Sequence, residues 1–219
     1  MSNYLQSIND NCTDKYIVKT GGIIGIDCTH LTIASALTDA NTSGNPKIVF
    51  IKNGTYTENS LAITRNGVQL IGESTAGVII NQTSGSTDIV RLRATHIGIK
   101  NITFTLSSTA TSVIIKNWDG STYTDCSYYI IENCVFNINS SSSANYAIYF
   151  GITSTTAINI QWGMFRNNYM SGTVASGHAY LFNQNLGSSS QMIRGIRVMN
   201  NSFILTDASS GGVDAFVSY

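Results

Sequence analysis

Charged side chains are scarce: Asp, Glu, Lys and Arg make up 11% of the 219 residues, against the roughly 25% of an ordinary soluble domain. Hydrophobic content is ordinary at 42%, so the surface must be built from Ser, Thr, Asn and Gly. The formal net charge is zero and no Lys/Arg cluster occurs. The field needed to gather phosphates is therefore missing, which argues against nucleic acid as a partner. Met1 to Lys19 lacks an apolar core flanked by basic residues and does not read as a secretory signal, and no stretch approaches the length of a membrane span. Cys12, Cys28, Cys126 and Cys134 have no CxxC spacing and read as buried or incidental thiols rather than zinc ligands or disulfides. His30, His96 and His178 share no spacing with one another, which argues against a metal site or a triad. The residues call for no cofactor.

What is present is a repeat. Four segments share an apolar residue, a spacer, an Asn, two spacers and a large apolar residue: Ile99, Asn101, Phe104; Ile131, Asn133, Phe136; Phe165, Asn167, Met170; and Val198, Asn200, Phe203. The Asn-to-Asn steps are 133−101=32, 167−133=34 and 200−167=33. Apolar residues alternate on both sides of each Asn and shift phase across it, as two short strands joined by a corner would require. Asn tolerates a left-handed backbone better than other non-glycine residues, so it can turn the chain without ending the apolar lining. Gly72, 101−72=29 residues before Asn101, is expected to make the same left-handed turn. Gly72, Asn101, Asn133, Asn167 and Asn200 then form one ladder of stacked corners.

Each repeat holds about three short strands and a Ser/Thr/Gly/Asn-rich loop, too long for a short-repeat β-helix and without the signatures of leucine-rich or helical arrays. The expected fold is all-β, a right-handed, single-stranded parallel β-helix of large coils. Its organisation reads as an N-terminal segment over 1–28 and the β-helix over 29–219, with an incomplete last coil at 213–219. Apolar residues at Leu31, Ala34, Leu37 and Ala40 have helical spacing. They predict a capping helix near 30–41, begun by Thr29 or Thr32, that plugs one end of the stack. The other end is expected to be open.

Three elements carry a family resemblance. The stretch Thr32-Ile33-Ala34-Ser35-Ala36-Leu37, then Lys47 to Glu58 (KIVFIKNGTYTE), then Val68-Gln69-Leu70-Ile71-Gly72-Glu73 resembles the opening of pectinesterase and pectate lyase-like proteins. The match is close over the first third of the chain and continues only through the coil pattern. The resemblance implies the pectin lyase-like β-helix. Pectinesterase-like catalysis would, by resemblance, need a Gln-Asp-Thr segment and an Asp-Phe-Ile-Phe-Gly segment, and neither occurs here. Pectate lyase-like catalysis would need a dense set of calcium-binding carboxylates, which twelve scattered Asp and Glu do not supply.

Asp119 and Asp125, with Glu132 and Arg166, are the candidates for acid–base work on a sugar. Against this, Asp119-Gly120 suits a tight turn, and Lys100, Glu132 and Arg166 each precede a corner Asn, which suits a salt-bridge ladder on one face. Trp118, Tyr123, Tyr128 and Trp162 are candidate platforms for stacking sugar rings, or else packing residues.

The leading expectation is a structural protein of a virus particle or phage tail (spike, fibre or surface decoration) that also grips glycans and resides at the virion surface or tail. By resemblance to such spikes, a homotrimer is the preferred assembly, with other virion proteins docking on the open C-terminal end as the alternative. A polysaccharide lyase, esterase or hydrolase is the second reading, and a non-catalytic extracellular adhesin-like solenoid the third. The balance leans away from catalysis.

Overall fold

A computed structural model of the chain describes residues 15–45, 47–82, 87–106, 113–117, 125–140, 144–151, 159–174, 178–180, 183–185, 192–207 and 217–218. From residue 48 onward the chain cycles repeatedly through three large sheets, joined in the later coils by a two-stranded sheet of Asn159–Gln161 and Met192–Arg194, and every strand pairing among the described residues is parallel. Sheet A contains Lys15–Val18, Ile48–Ile51, Gln69–Gly72, Gly98–Lys100, Ile130–Glu132, Met164–Arg166 and Arg197–Met199. Sheet B contains Gly54–Thr57, Val78–Asn81, Thr103–Leu106, Val135–Ser140, Tyr169–Val174 and Ser202–Asp207. Sheet C contains Leu61–Ile63, Val90–Leu92, Val113–Lys116, Ala144–Gly151, Asn183–Asn185 and Val217–Ser218, with His178–Tyr180 also paired to Ala144–Gly151. This is a right-handed parallel β-helix, the hand that nearly all parallel crossovers take.

Strand alternation decides what fills it. In sheet A the inward column runs Val49, Leu70, Ile99, Ile131, Phe165, in register from coil to coil and essentially inaccessible to solvent. Sheet B supplies Tyr56, Ile80, Phe104, Phe136 and Met170. The Phe104 and Phe136 rings stack at 5.6 Å, and Phe136 lies 5.7 Å from Phe165. Burying each such side chain is worth about 1.5–3 kcal/mol, and stacking like on like lets one packing solution repeat along the axis.

The cap is a helix, Ile33–Ala40. Thr32 caps it, its hydroxyl accepting from the Ser35 amide. Thr29 instead bonds the Ile17 backbone. The buried face is Ile33, Ala36, Leu37 and Ala40, not the Leu31–Ala34 side expected from spacing, since both of those are exposed. Glu58 explains the shift: its two carboxylate oxygens accept the Ile33 and Ala34 amides at 2.8 Å each. They satisfy two of the unpaired donors at the helix start and rotate Ile33 into the core. Lys15–Val18 pairs with Ile48–Ile51, so the stack begins inside the 1–28 segment rather than after it. Cys28, Cys126 and Cys134 are buried free thiols; Cys12 lies outside the described residues, as do 213–216 and 219 of the expected last coil.

Candidate functional site

On the outer face of sheet A, Lys100, Glu132 and Arg166 are register neighbours. Glu132 Oε1 lies 2.9 Å from Arg166 Nη2 and its Oε2 lies 3.4 Å from Lys100 Nζ. The hydrogen bond from Arg166, then the Lys100 and Arg166 charges, hold the Glu132 carboxyl below its ordinary range. A carboxylate engaged through both oxygens and kept ionised is poorly placed to give up or collect a proton. Of the acid–base candidates, then, Glu132 and Arg166 meet as an ion pair. Asp125 is exposed, and its charge adds to the burial that pushes the Cys126 thiol well up. Asp119, Trp118 and Tyr123 lie outside the described residues.

The corner from sheet A to sheet B is left-handed at Asn101, Asn133, Asn167 and Asn200, with φ between 53° and 57°. The Asn133 amide donates to Asn101 Oδ1, and the Asn101 amide donates to the Gly72 carbonyl, each at 3.4 Å. Gly72 belongs to this column but corrects the expectation made for it: its φ is not positive. Glycine is required there because a Cβ would stand 2.0 Å from the Asn101 carbonyl oxygen. Close approach of two coils, not handedness, selects it.

A second left-handed ladder, which sequence reasoning missed, lies five residues earlier, at the corner from sheet C to sheet A. It comprises Gly67, His96, Tyr128, Trp162 and Gly195, with φ of 86°, 59°, 57°, 56° and 68°. The amides of His96, Tyr128 and Trp162 donate to Ser127, Gln161 and Arg194 carbonyls one coil on, at 2.7–3.0 Å. The His96 and Tyr128 rings stack at 4.6 Å and 12°, and the Arg194 guanidinium sits 5.9 Å from the Trp162 ring centre. Tyr128 and Trp162 remain 47% and 48% exposed, so two of the four proposed glycan-stacking residues share one open column. The signal was the offset: 101−96, 133−128 and 167−162 all equal 5.

A third ladder, inside the corner, was also missed. Asn168 donates to the Ile131 carbonyl and accepts from the Cys134 amide, and Asn201 accepts from Asn168 and donates to the Phe165 carbonyl. The sequence signal was the doubled Asn at 167–168 and 200–201. Beside it, burial pushes the Cys134 thiol up to about 12, which makes it inert as a nucleophile.

Among the described residues no group of three or more His, Cys, Asp or Glu is placed to hold a metal ion, and no helix is long and apolar enough to cross a membrane.

No family model and no curated protein matches the chain. Among solved structures it is similar to a pectin methylesterase in complex with a hexasaccharide, at 17% identity and TM-score 0.45, over 89% of this chain and 66% of that one. It is likewise similar to pectin methylesterase PemA from Erwinia chrysanthemi, at 14% identity and TM-score 0.46 over the same shares. For pectin methylesterase from carrot the figures are 14% and 0.36, over 93% of this chain and 88% of that one. The chain thus spans 66% of the length of the first two. At such identities the parallel β-helix rests on the strand order and register described above, not on these likenesses.

Proposed function

We propose that this chain is a structural, glycan-gripping β-helix of a virus particle or phage-tail-like assembly, with the His96–Tyr128–Trp162 column as its contact strip. One observation carries the reading. Gly67 and Gly195 fill the same corner at either end of the column, so the fold itself asks only for glycine there. Holding a bulky side chain in left-handed backbone costs about 1–3 kcal/mol, and three consecutive coils bear that cost to put planar, polar-tipped rings on the surface. Ring stacking returns about 0.5–1.5 kcal/mol per pair, less than the expense. Aromatic surface with hydrogen-bonding tips, low in charge, suits sugar rings and hydroxyls better than it suits an ionic partner. Homotrimeric assembly at the virion surface or tail belongs to the same proposal.

The test is a panel of neutral and acidic polysaccharides, followed for binding and for new reducing ends, released methanol or unsaturated uronate absorbance. We expect binding without turnover, lost in the Tyr128→Gly/Trp162→Gly double variant. Robust turnover would transfer the chain to the carbohydrate-active enzymes. Binding that survives the double variant would remove the column from the function. Sedimentation of the purified chain checks the trimer.

A further inference from the structure

Sheet C carries a charged cluster that includes none of the sequence-derived candidates. Its outward column runs Ala62, Arg91, Lys116, Tyr149 in register, with Asp88 three residues before Arg91. Parallel strands lie ~4.8 Å apart, so Arg91 and Lys116 place like charges on adjacent rungs, an arrangement that opposes pairing. They are also poorly solvated: the Arg91 and Asp88 side chains keep only 22% and 11% of their exposure, and the neighbouring Ile89, Val90, Ile114 and Ile115 are fully buried.

Asp88 does not use the arginine well. Arg91 Nε stands 3.4 Å from Asp88 Oδ2, and this buried nitrogen makes no hydrogen bond. That nitrogen is one of five donors in a rigid fork, and it is left without a hydrogen bond. On the far side Lys116 Nζ lies 5.7 Å from the centre of the Tyr149 ring. Burial raises the Asp88 carboxyl above its ordinary range against the pull of Lys116 and Arg91. Burial and the Arg91 charge lower the Lys116 ammonium against the pull of Asp88. A negative charge placed over Arg91 and Lys116 would offset the repulsion between these two like charges on adjacent rungs.

We infer that Arg91 and Lys116, with Asp88 behind them and Tyr149 on the next rung, form a binding site for the carboxylate group of a ligand. A single negative charge matches the cluster, because Arg91 and Lys116 less the Asp88 carboxylate leave one net positive charge to neutralise. Tyr149 offers an aromatic surface beside the cations against which the carbon skeleton of the ligand rests. The carboxylate comes either from an acidic saccharide or from a small free acid, and the site does not depend on the aromatic column.

Titration calorimetry on the full chain with glucuronate, glucose and acetate decides it. The expected result is glucuronate binding that glucose does not reproduce, weakened about tenfold or more in Arg91→Gln and in Lys116→Gln. Asp88→Asn, nearly identical in shape, is expected to tighten binding several-fold, a gain that misfolding cannot mimic. Acetate binding as well as glucuronate identifies a site that reads the carboxylate alone. A glucuronate advantage lost in Tyr149→Ala identifies a saccharide acid. No preference for glucuronate over glucose, unchanged binding in Arg91→Gln and Lys116→Gln, or no gain in Asp88→Asn overturns the inference. The Arg91→Gln and Lys116→Gln titrations are repeated in the Tyr128→Gly/Trp162→Gly background, where sugar held by the aromatic strip is removed; the same losses are expected there, so this site and the aromatic strip can fail separately.

Discussion

The two left-handed ladders bracket the strands of sheet A and share nearly the same backbone geometry, yet they are built from different residues. At the A-to-B corner four coils use Asn, at φ of 53–57°, and the Asn101 and Asn133 amides tie one rung to the next. At the C-to-A corner three coils use His, Tyr and Trp at φ of 56–59°; His, like Asn, is found in that backbone more often than most residues, whereas Tyr and Trp gain nothing from it. Asn is selected by the turn itself, since its short polar side chain tolerates the left-handed region and bonds locally. The rings are tolerated by the turn and selected by something else. Equal geometry with unequal chemistry separates what the fold needs from what it carries.

The comparison breaks most sharply at its first rungs, both glycines. Gly72→Ala drives a Cβ into the Asn101 carbonyl oxygen at 2.0 Å, backbone against backbone, and is expected to cost about 3 kcal/mol. Gly67→Ala meets only the end of the Lys47 side chain at 3.2 Å, leaving the left-handed penalty of about 1 kcal/mol. Urea denaturation of the two variants should therefore differ severalfold in effect, and equal losses would deny that the glycines serve different ends.

Next in size is Asn133→Val, which puts a branched side chain at φ 53° and removes the bond to Asn101, for an expected loss of about 2 kcal/mol. Asn133→Gly keeps the turn and should lose only about 0.5 kcal/mol. If valine is as harmless as glycine by thermal melting, the corner is not what holds Asn there.

Glu132→Gln lies between the ladders and should cost about 0.5 kcal/mol, as partly exposed pairs do. The sign of its pH dependence is fixed. Because Arg166 and Lys100 lower the folded value below the ordinary 4.5, the stabilisation is complete above that pH and drains as pH falls through the lowered value. Melting temperature against pH should show that acid-side slope in the parent and a shallower one in the variant.

The smallest expected change in stability is at the aromatic ladder. Tyr128→Gly and Trp162→Gly relieve backbone strain while freeing the unfolded chain, two effects of about 1 kcal/mol that oppose each other. Stability should stay within about 0.5 kcal/mol while glycan binding collapses. A large stability loss instead would make the rings part of the packing.

Much of the fold was legible because its punctuation is chemical. Asn recurs at steps of 32, 34 and 33, and alternation on either side marks the strands that flank it. The capping helix was legible in position but not in its rotation, because Glu58, 25 residues from Ile33, sets which face turns inward. The aromatic ladder was harder to read: His, Tyr and Trp share no residue type, only an offset of five from each Asn. Asp88, Arg91 and Lys116 were not legible at all. The step from Arg91 to Lys116 is 116−91=25 where the Asn corners nearby advance by 32, since the loop that follows sheet C differs in length from coil to coil. Periodicity cannot align what the loops displace.

The sequence by itself determined that this chain coils as a parallel β-helix, that Asn turns one corner of every later coil, and that the surface carries little charge. Those are local matters of backbone tolerance and side-chain alternation, settled within a few residues of each other. Only the tertiary structure decided that Gly72 serves close approach, that Glu132 is held by two cations, that three rings share a strained corner, and that Arg91 and Lys116 stand side by side. Each of these is a relation between neighbouring coils, about 20 to 35 residues apart along the chain and ~4.8 Å apart in space, and it exists only once the coils are stacked.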